Sequence, residues 1–135
     1  MTGMDNYRIS NEITYKLNYH FVFCTRYRRK IFIEPELEKR FDLLVRDVCG
    51  GLDIQVTSIL CGEDYAHITL AAPPSLSPTE IMAKIKRTTS KKLREEFSYL
   101  QHLPSLWTRL YLVSTDDVIS ESIIQKYVGQ QKTRG

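Results

Sequence analysis

Tyr127 and Gln131 stand four residues apart in the stretch Ser120-Glu121-Ser122-Ile123-Ile124-Gln125-Lys126-Tyr127-Val128-Gly129-Gln130-Gln131. Ser120 is a good helix N-cap and Glu121 suits the positive end of the helix dipole, so a short helix is predicted here. On a helix this spacing stacks the phenol and the carboxamide on one face, more directly than Gln130 would lie. The pair has the chemistry of a nucleophile and a metal ligand. It is equally the pattern of ordinary packing beside a surface amide. A second pair is Tyr65 and His67, which project to one side of an alternating stretch just after Asp64. His20 lies on the polar side of another alternating stretch and reads first as a strand-face histidine bonded to its neighbours. His102 falls in a loop without an evident partner. Arg26-Tyr27-Arg28-Arg29-Lys30 sets four cations around a tyrosine, the composition of a phosphate-gripping loop or of a solvated one.

These groups need elements to position them. Tyr15, Leu17, Tyr19, Phe21 and Phe23 alternate with Lys16, Asn18 and His20, which predicts a half-buried strand with an aromatic face. Pro35 opens a helix carrying Leu37, Phe41, Leu44, Val45 and Val48, and Gly50-Gly51 ends it. A strand over 53–60 is expected to turn Ile54, Val56 and Leu60 inward. After the turn at Gly62-Glu63-Asp64, a strand over 65–72 puts Ala66, Ile68 and Leu70 on one face and Tyr65, His67 and Thr69 on the other. Ser77-Pro78-Thr79-Glu80 combines a capping box with proline at the first helical position. The helix that follows has Met82, Ile85, Thr89 and Leu93 on one flank. Its cations are Lys84, Lys86, Arg87, Lys91, Lys92 and Arg94, a balance that leans toward a polyanion partner. Residues 106–113 read as a fourth strand.

The order βαββαβ followed by a helix indicates an α+β, ferredoxin-like antiparallel sheet with helices on one face. The 135 residues suffice for one domain, expected over 14–135 after a polar, flexible 1–13. The net charge of +3 is too mild to announce a nucleic-acid partner by itself. Three cysteines, Cys24, Cys49 and Cys61, have no metal-like spacing and read as reduced thiols. No apolar run resembles a signal peptide, and none approaches about 18 consecutive residues. A cytoplasmic protein without a membrane partner is therefore expected. There is no internal repeat.

The chain resembles the single-tyrosine HUH transposases of insertion sequences, the small TnpA type, over roughly residues 14 to 131. The most specific pieces are the run from Asn18 through Lys30, Leu106-Trp107-Thr108-Arg109, Val113-Ser114-Thr115 and the Tyr127–Gln131 spacing. The resemblance implies cutting and joining of single-stranded DNA with hairpin ends by a homodimer, with the tyrosine helix of one subunit completing the site of the other. Tyr127 is the implied nucleophile, forming a 5′-phosphotyrosine and leaving a free 3′-hydroxyl. A phenol of pKa about 10 is a weak nucleophile at neutral pH. The family accordingly uses a divalent metal, Mg²⁺ or Mn²⁺, held by paired histidines and a glutamine. Those positions fall on Tyr65, His67 and Gln131, so the first histidine is replaced by tyrosine, which implies a weakened metal site, with His20 as the less favoured candidate to substitute. The implied DNA contacts are Arg26, Arg28, Arg29, Lys30, Lys84, Arg87 and Lys91.

Two functions compete on these residues. One is a working transposase that tolerates the altered site, and retention of Tyr127 favours it. The other is a catalytically impaired relative that binds single-stranded hairpins, and the tyrosine at position 65 favours that. An RRM-like RNA-binding sheet is disfavoured because no stretch shows that module's aromatic stacking motif.

Overall fold

The alternating stretch after Leu17 forms the most deeply buried strand of the molecule. A computed structural model describes residues 6–131. Its strands are β1 (Arg8–Ser10), β2 (Ile13–Tyr15), β3 (Asn18–Cys24), β4 (Gln55–Cys61), β5 (Tyr65–Ala71) and β6 (Leu112–Ser114). Its α-helices are α1 (Pro35–Gly50), α2 (Pro78–Glu96) and α3 (Glu121–Gln130). Four strands form an antiparallel sheet in the order β4-β5-β3-β6, the arrangement expected of a ferredoxin-like βαββαβ unit.

The helices begin where their capping residues direct. In α2, Ser77 Oγ accepts from the Glu80 backbone N–H at 3.1 Å while the Glu80 carboxylate accepts from Ser77 N–H at 2.9 Å. Two otherwise unsatisfied donors are thus paired reciprocally. In α1, Pro35 and the acidic Glu36 and Glu38 occupy the first turn. Both helices bury their apolar stripes against Phe21, Phe23, Ala66, Ile68 and Leu70. At the centre Phe23 meets Trp107 edge-on at 4.9 Å between ring centroids, and Phe41 meets Phe32 at 5.0 Å. The Trp107 indole N–H donates to Thr89 Oγ1 at 2.9 Å, so this buried polar atom is satisfied.

Four expectations are corrected. β3 is not half-buried: Val22 and Cys24 on its second face are as inaccessible as Phe21 and Phe23, because α3 covers them. In β4 an irregularity between Val56 and Ser58 shifts the register, so Ile59 packs inward and Leu60 is 61% exposed. The fourth strand is confined to Leu112–Ser114. Ahead of it Trp107 makes one isolated bridge to Thr25, and the carbonyls of Thr108 and Leu110 accept from the Lys86 ammonium, not from a neighbouring strand. The expected polar N-terminal segment contains a hairpin, β1 against β2, turned at Asn11 with φ 53°. Arg8 ties this hairpin to the sheet through the Asp53 carboxylate at 2.9 Å. Residues 1–5 lie outside the described ones.

The three cysteines are free thiols. Burial raises Cys24 and Cys49 to about 11 and Cys61 to about 12, which keeps them protonated and unreactive near neutral pH. Among the described residues no helix is long and apolar enough to cross a membrane.

Candidate active site and nucleic-acid interface

α3 lies on the sheet face opposite α1 and α2. Ser120 caps it by accepting from the Ile123 N–H at 3.2 Å. Ile124 and Val128 are buried against Val22, Cys24 and Ile119, and Tyr65, Leu112 and Tyr127 pack around that cluster. Tyr127 therefore sits on the face from which Tyr65, His67 and Thr69 project, with its hydroxyl oxygen shielded from solvent.

His67 is not alone on this face. His20, two residues along β3 from Val22, the direct cross-strand partner of His67, reaches diagonally so that its Nδ1 lies 3.0 Å from His67 Nε2. The ring centroids are 5.2 Å apart, close to that distance plus two ring radii, so the imidazoles meet end to end. His20 Nε2 lies 3.1 Å from the Asp117 carbonyl, an acceptor only, so Nε2 carries a proton. In the neutral pair His20 Nδ1 is then the acceptor and His67 Nε2 the donor, a tautomer assigned from the network. The Thr69 hydroxyl also reaches His20 Nδ1 at 3.1 Å. Burial, and second the charge of His20, lower the His67 pKa, and Glu121 opposes them. Burial and His20 together favour the neutral form of His67 that a metal requires.

Tyr65 is arranged differently. Its phenolic oxygen accepts from Gln125 Nε2 on α3 at 3.1 Å, and Gln125 also donates to Glu121 at 2.6 Å. Burial raises the phenol's pKa while the Gln125 bond acts against it, so phenolate is disfavoured. Gln131 is buried at the end of α3, and its carboxamide oxygen forms no hydrogen bond with any described residue, His67 included. A buried acceptor without a donor is costly, and it suits a cation or another external donor. Among the described residues there is no group of three or more His, Cys, Asp or Glu placed to hold a metal ion. By donor chemistry, the neutral imidazole of His67 and the amide oxygen of Gln131 suit a divalent ion; the phenol of Tyr65, turned to Gln125, does not.

Arg28 locks the far end of α3. Its Nε pairs with Asp64 at 2.5 Å and its Nη1 donates to the Val128 carbonyl at 3.1 Å, which couples the β4–β5 turn to the last turn of the helix. The side chain gets there because Tyr27 and Arg28 both adopt left-handed backbone, φ 58° and 55°. Two such residues in succession are strained, and the pairing of Arg28 offsets that cost.

A family model described as "Transposase IS200 like" matches residues 13–131. The chain belongs to the IS200-like transposase family. Among its relatives is the transposase of insertion sequence element IS200 from Salmonella typhimurium, 27% identical over 124 residues, covering 84% of this chain and 81% of the relative. Another is the ISDra2 transposase TnpA of Deinococcus radiodurans, 23% identical and covering 87% and 85%. A crystal structure assigned as a D. radiodurans transposase shares the fold with a TM-score of 0.82 at 23% identity, over 93% of this chain and 98% of that one. A REP-associated tyrosine transposase bound to a REP hairpin shares it with a TM-score of 0.57 at 11% identity, over 89% and 68%.

In this IS200-like family member the basic residues are not equivalent. Arg26, Lys86, Arg87, Lys91, Arg94 and Arg109 line one cleft of about 490 Å³ between α2 and residues 104–109, with no carboxylate in its wall. Such a concentration of one charge sign attracts a polyanion. Of the sequence candidates, Arg26, Arg87 and Lys91 belong to it. Arg28 is committed to Asp64 and Val128; Arg29 lies over the Tyr27 ring at 5.3 Å and donates to the Arg26 carbonyl. Lys30 makes an exposed pair with Glu63 at 3.7 Å, and Lys84 is exposed on α2 outside the cleft lining. His102 is exposed in a turn.

Sequence reasoning gave Arg109 and Gln125 no role, counted Lys86 and Arg94 only among the cations of the basic helix, and favoured a strand-face role for His20 over a place beside His67. Lys86 carried a signal: it lies four residues before Ser90 and after Met82, both buried, at the border of the apolar stripe. Its amine donates to the Thr108 and Leu110 carbonyls at 2.9 Å each, and lies 5.6 Å from the Phe23 ring centroid and 5.3 Å from that of Tyr111. Burial lowers its pKa to about 8, while the carbonyls and ring faces favour the charged form. Gln125 carried none, since an exposed helix glutamine is unremarkable in sequence.

Proposed function

We propose that this family member cuts and rejoins single-stranded DNA at hairpin ends, acting as a homodimer with Tyr127 as nucleophile. The observation that supports this reading is the packing of Tyr127, on α3, over the sheet face that carries Tyr65 and His67. In the cleavage step the Tyr127 oxygen bonds to phosphorus as the P–O3′ bond breaks. The phenolic proton takes phosphorus's place on the departing oxygen, leaving a 5′-phosphotyrosine and a free 3′-hydroxyl. One phosphodiester is exchanged for another, so rejoining needs no further energy source. His67 and Gln131 are the donors suited to Mg²⁺ or Mn²⁺; when bound, such an ion supplies charge stabilisation at the scissile phosphate. The cleft residues Arg26, Arg87 and Lys91 grip the DNA backbone, and the REP-hairpin complex of the structural neighbour is in keeping with a hairpin substrate.

The test is incubation with a labelled hairpin-bearing oligonucleotide and Mn²⁺. A covalent adduct is expected, absent in Tyr127→Phe. A second reading, a hairpin-binding protein without cleavage, is favoured by the commitment of the Tyr65 phenol to Gln125. Tight hairpin binding without an adduct under any divalent metal would select it. Light scattering tests the dimer, and a monomer in solution would count against a site shared between subunits.

A further inference from the structure

Tyr65 occupies the place where the resemblance calls for a metal-binding histidine, yet its ring is held for another task. The ring lies directly over Gly62 in the β4–β5 turn: a Cβ there would come within 2.0 Å of Tyr65 Cε1 and 2.6 Å of Cδ1. The absence of a side chain at Gly62 is therefore what admits the phenol, and the Gly62 N–H closes the turn on the Tyr65 carbonyl at 3.0 Å. From that seat the hydroxyl accepts from Gln125 Nε2, one turn after the start of α3 and two residues before Tyr127. Meanwhile the second imidazole on this face comes from the adjacent strand, as His20.

We infer that Tyr65 is a positioning residue for the tyrosine helix, docking α3 on the sheet through Gln125, and is not a metal ligand. α3 buries only Ile124 and Val128 of its ten residues, so a polar tether is a large share of what holds it. Ser120 caps its start from within, and two bonds tie it to the rest of the molecule: Tyr65–Gln125 and Arg28–Val128. The Tyr65–Gln125 tie is the one made from the strand that carries His67, and it meets α3 two residues before Tyr127. The inference rests on the reading of Tyr127 as nucleophile only for its catalytic consequence.

The experiment is a double-mutant cycle of Tyr65→Phe and Gln125→Leu on the full chain, read by amide hydrogen exchange over α3. Loss of one hydrogen bond is expected to speed exchange about fivefold in either single variant. The double variant is expected to go no further, because both changes remove the same tie. The rate of adduct formation should fall by a similar factor, with hairpin affinity and calorimetric Mn²⁺ affinity unchanged in Tyr65→Phe. Unchanged exchange in Tyr65→Phe, additive effects in the cycle, or loss of Mn²⁺ affinity in Tyr65→Phe would each overturn the inference. If the unmodified protein forms no adduct, the nucleophile reading fails, while the exchange cycle still decides whether Tyr65 docks α3.

Discussion

The sheet separates two unlike interiors. Among the described residues, 22 buried ones form one apolar cluster under α1 and α2, whereas under α3 the buried apolar cluster has five. The first face is held by aromatic rings, Phe23, Phe32, Phe41 and Trp107, packed against one another. The second buries His20, His67 and Gln131 beside its few aliphatic groups. Apolar burial is additive and non-directional, so the first face can tolerate no loss of volume but needs no particular chemistry. Polar groups taken out of water need partners, so the second face is held by specific bonds and gives up stability to keep reactive groups in place. A short helix over a small cluster is also the element most readily lifted from the body.

The sharpest way to break this contrast is to truncate one residue on each side. Phe41→Ala, which removes ring contacts to three aromatic neighbours, is expected to cost about 3–5 kcal/mol in urea unfolding. Ile124→Ala should cost about 2 kcal/mol, at the low end for a buried isoleucine, and should appear mainly as faster amide exchange confined to α3. Equal losses, both global, would mean that the two faces form one cooperative unit. A smaller effect is expected from the cleft beside α2. Arg87→Ala with Lys91→Ala should weaken hairpin binding about tenfold at low salt and make the slope of log K against log salt shallower by about 1.4. An unchanged slope would move the DNA path elsewhere.

The smallest expected effect is pH-dependent. The His67 pKa is lowered in the folded protein from its ordinary 6.5, first by burial and second by His20. Just below 6.5 the unfolded chain therefore binds more protons than the folded one. The stability contributed is present above 6.5 and lost as pH falls through the folded value. Urea midpoints should decline between pH 7 and 5, and less so in His20→Gln, where one cause of the shift is removed. A flat profile in the unmodified protein would remove the electrostatic coupling from the description of this face.

Much of this molecule is legible from local chemistry. The capping box at Ser77, the proline at the head of α1, the alternation of β5 and the Ser120 cap each act within a few residues, so spacing alone predicts them. The pairing of helices and strands followed from their order, and spacing alone set Tyr127 and Gln131 four residues apart at the end of a short helix, while their roles were implied by the resemblance. What local patterns could not convey is which face a late helix covers. The exposed side of β3 in a four-stranded sheet becomes an interior only because residues 119–128 return to it from about a hundred positions away.

The same distance explains the histidines. Residue types place Tyr65 and His67 on one strand face, but His20 becomes a neighbour only through the β3–β5 register, which pairs Val22 with His67. Likewise the Val56–Ser58 irregularity turns Leu60 outward, and the Lys86 ammonium draws off the carbonyls that a longer fourth strand would have used. The order and kind of the elements, and the residues able to act, were set by near-neighbour sterics and hydrogen bonding along the chain. Which of them meet was decided by long-range packing, because two side chains far apart in sequence acquire a distance only once the sheet between them exists.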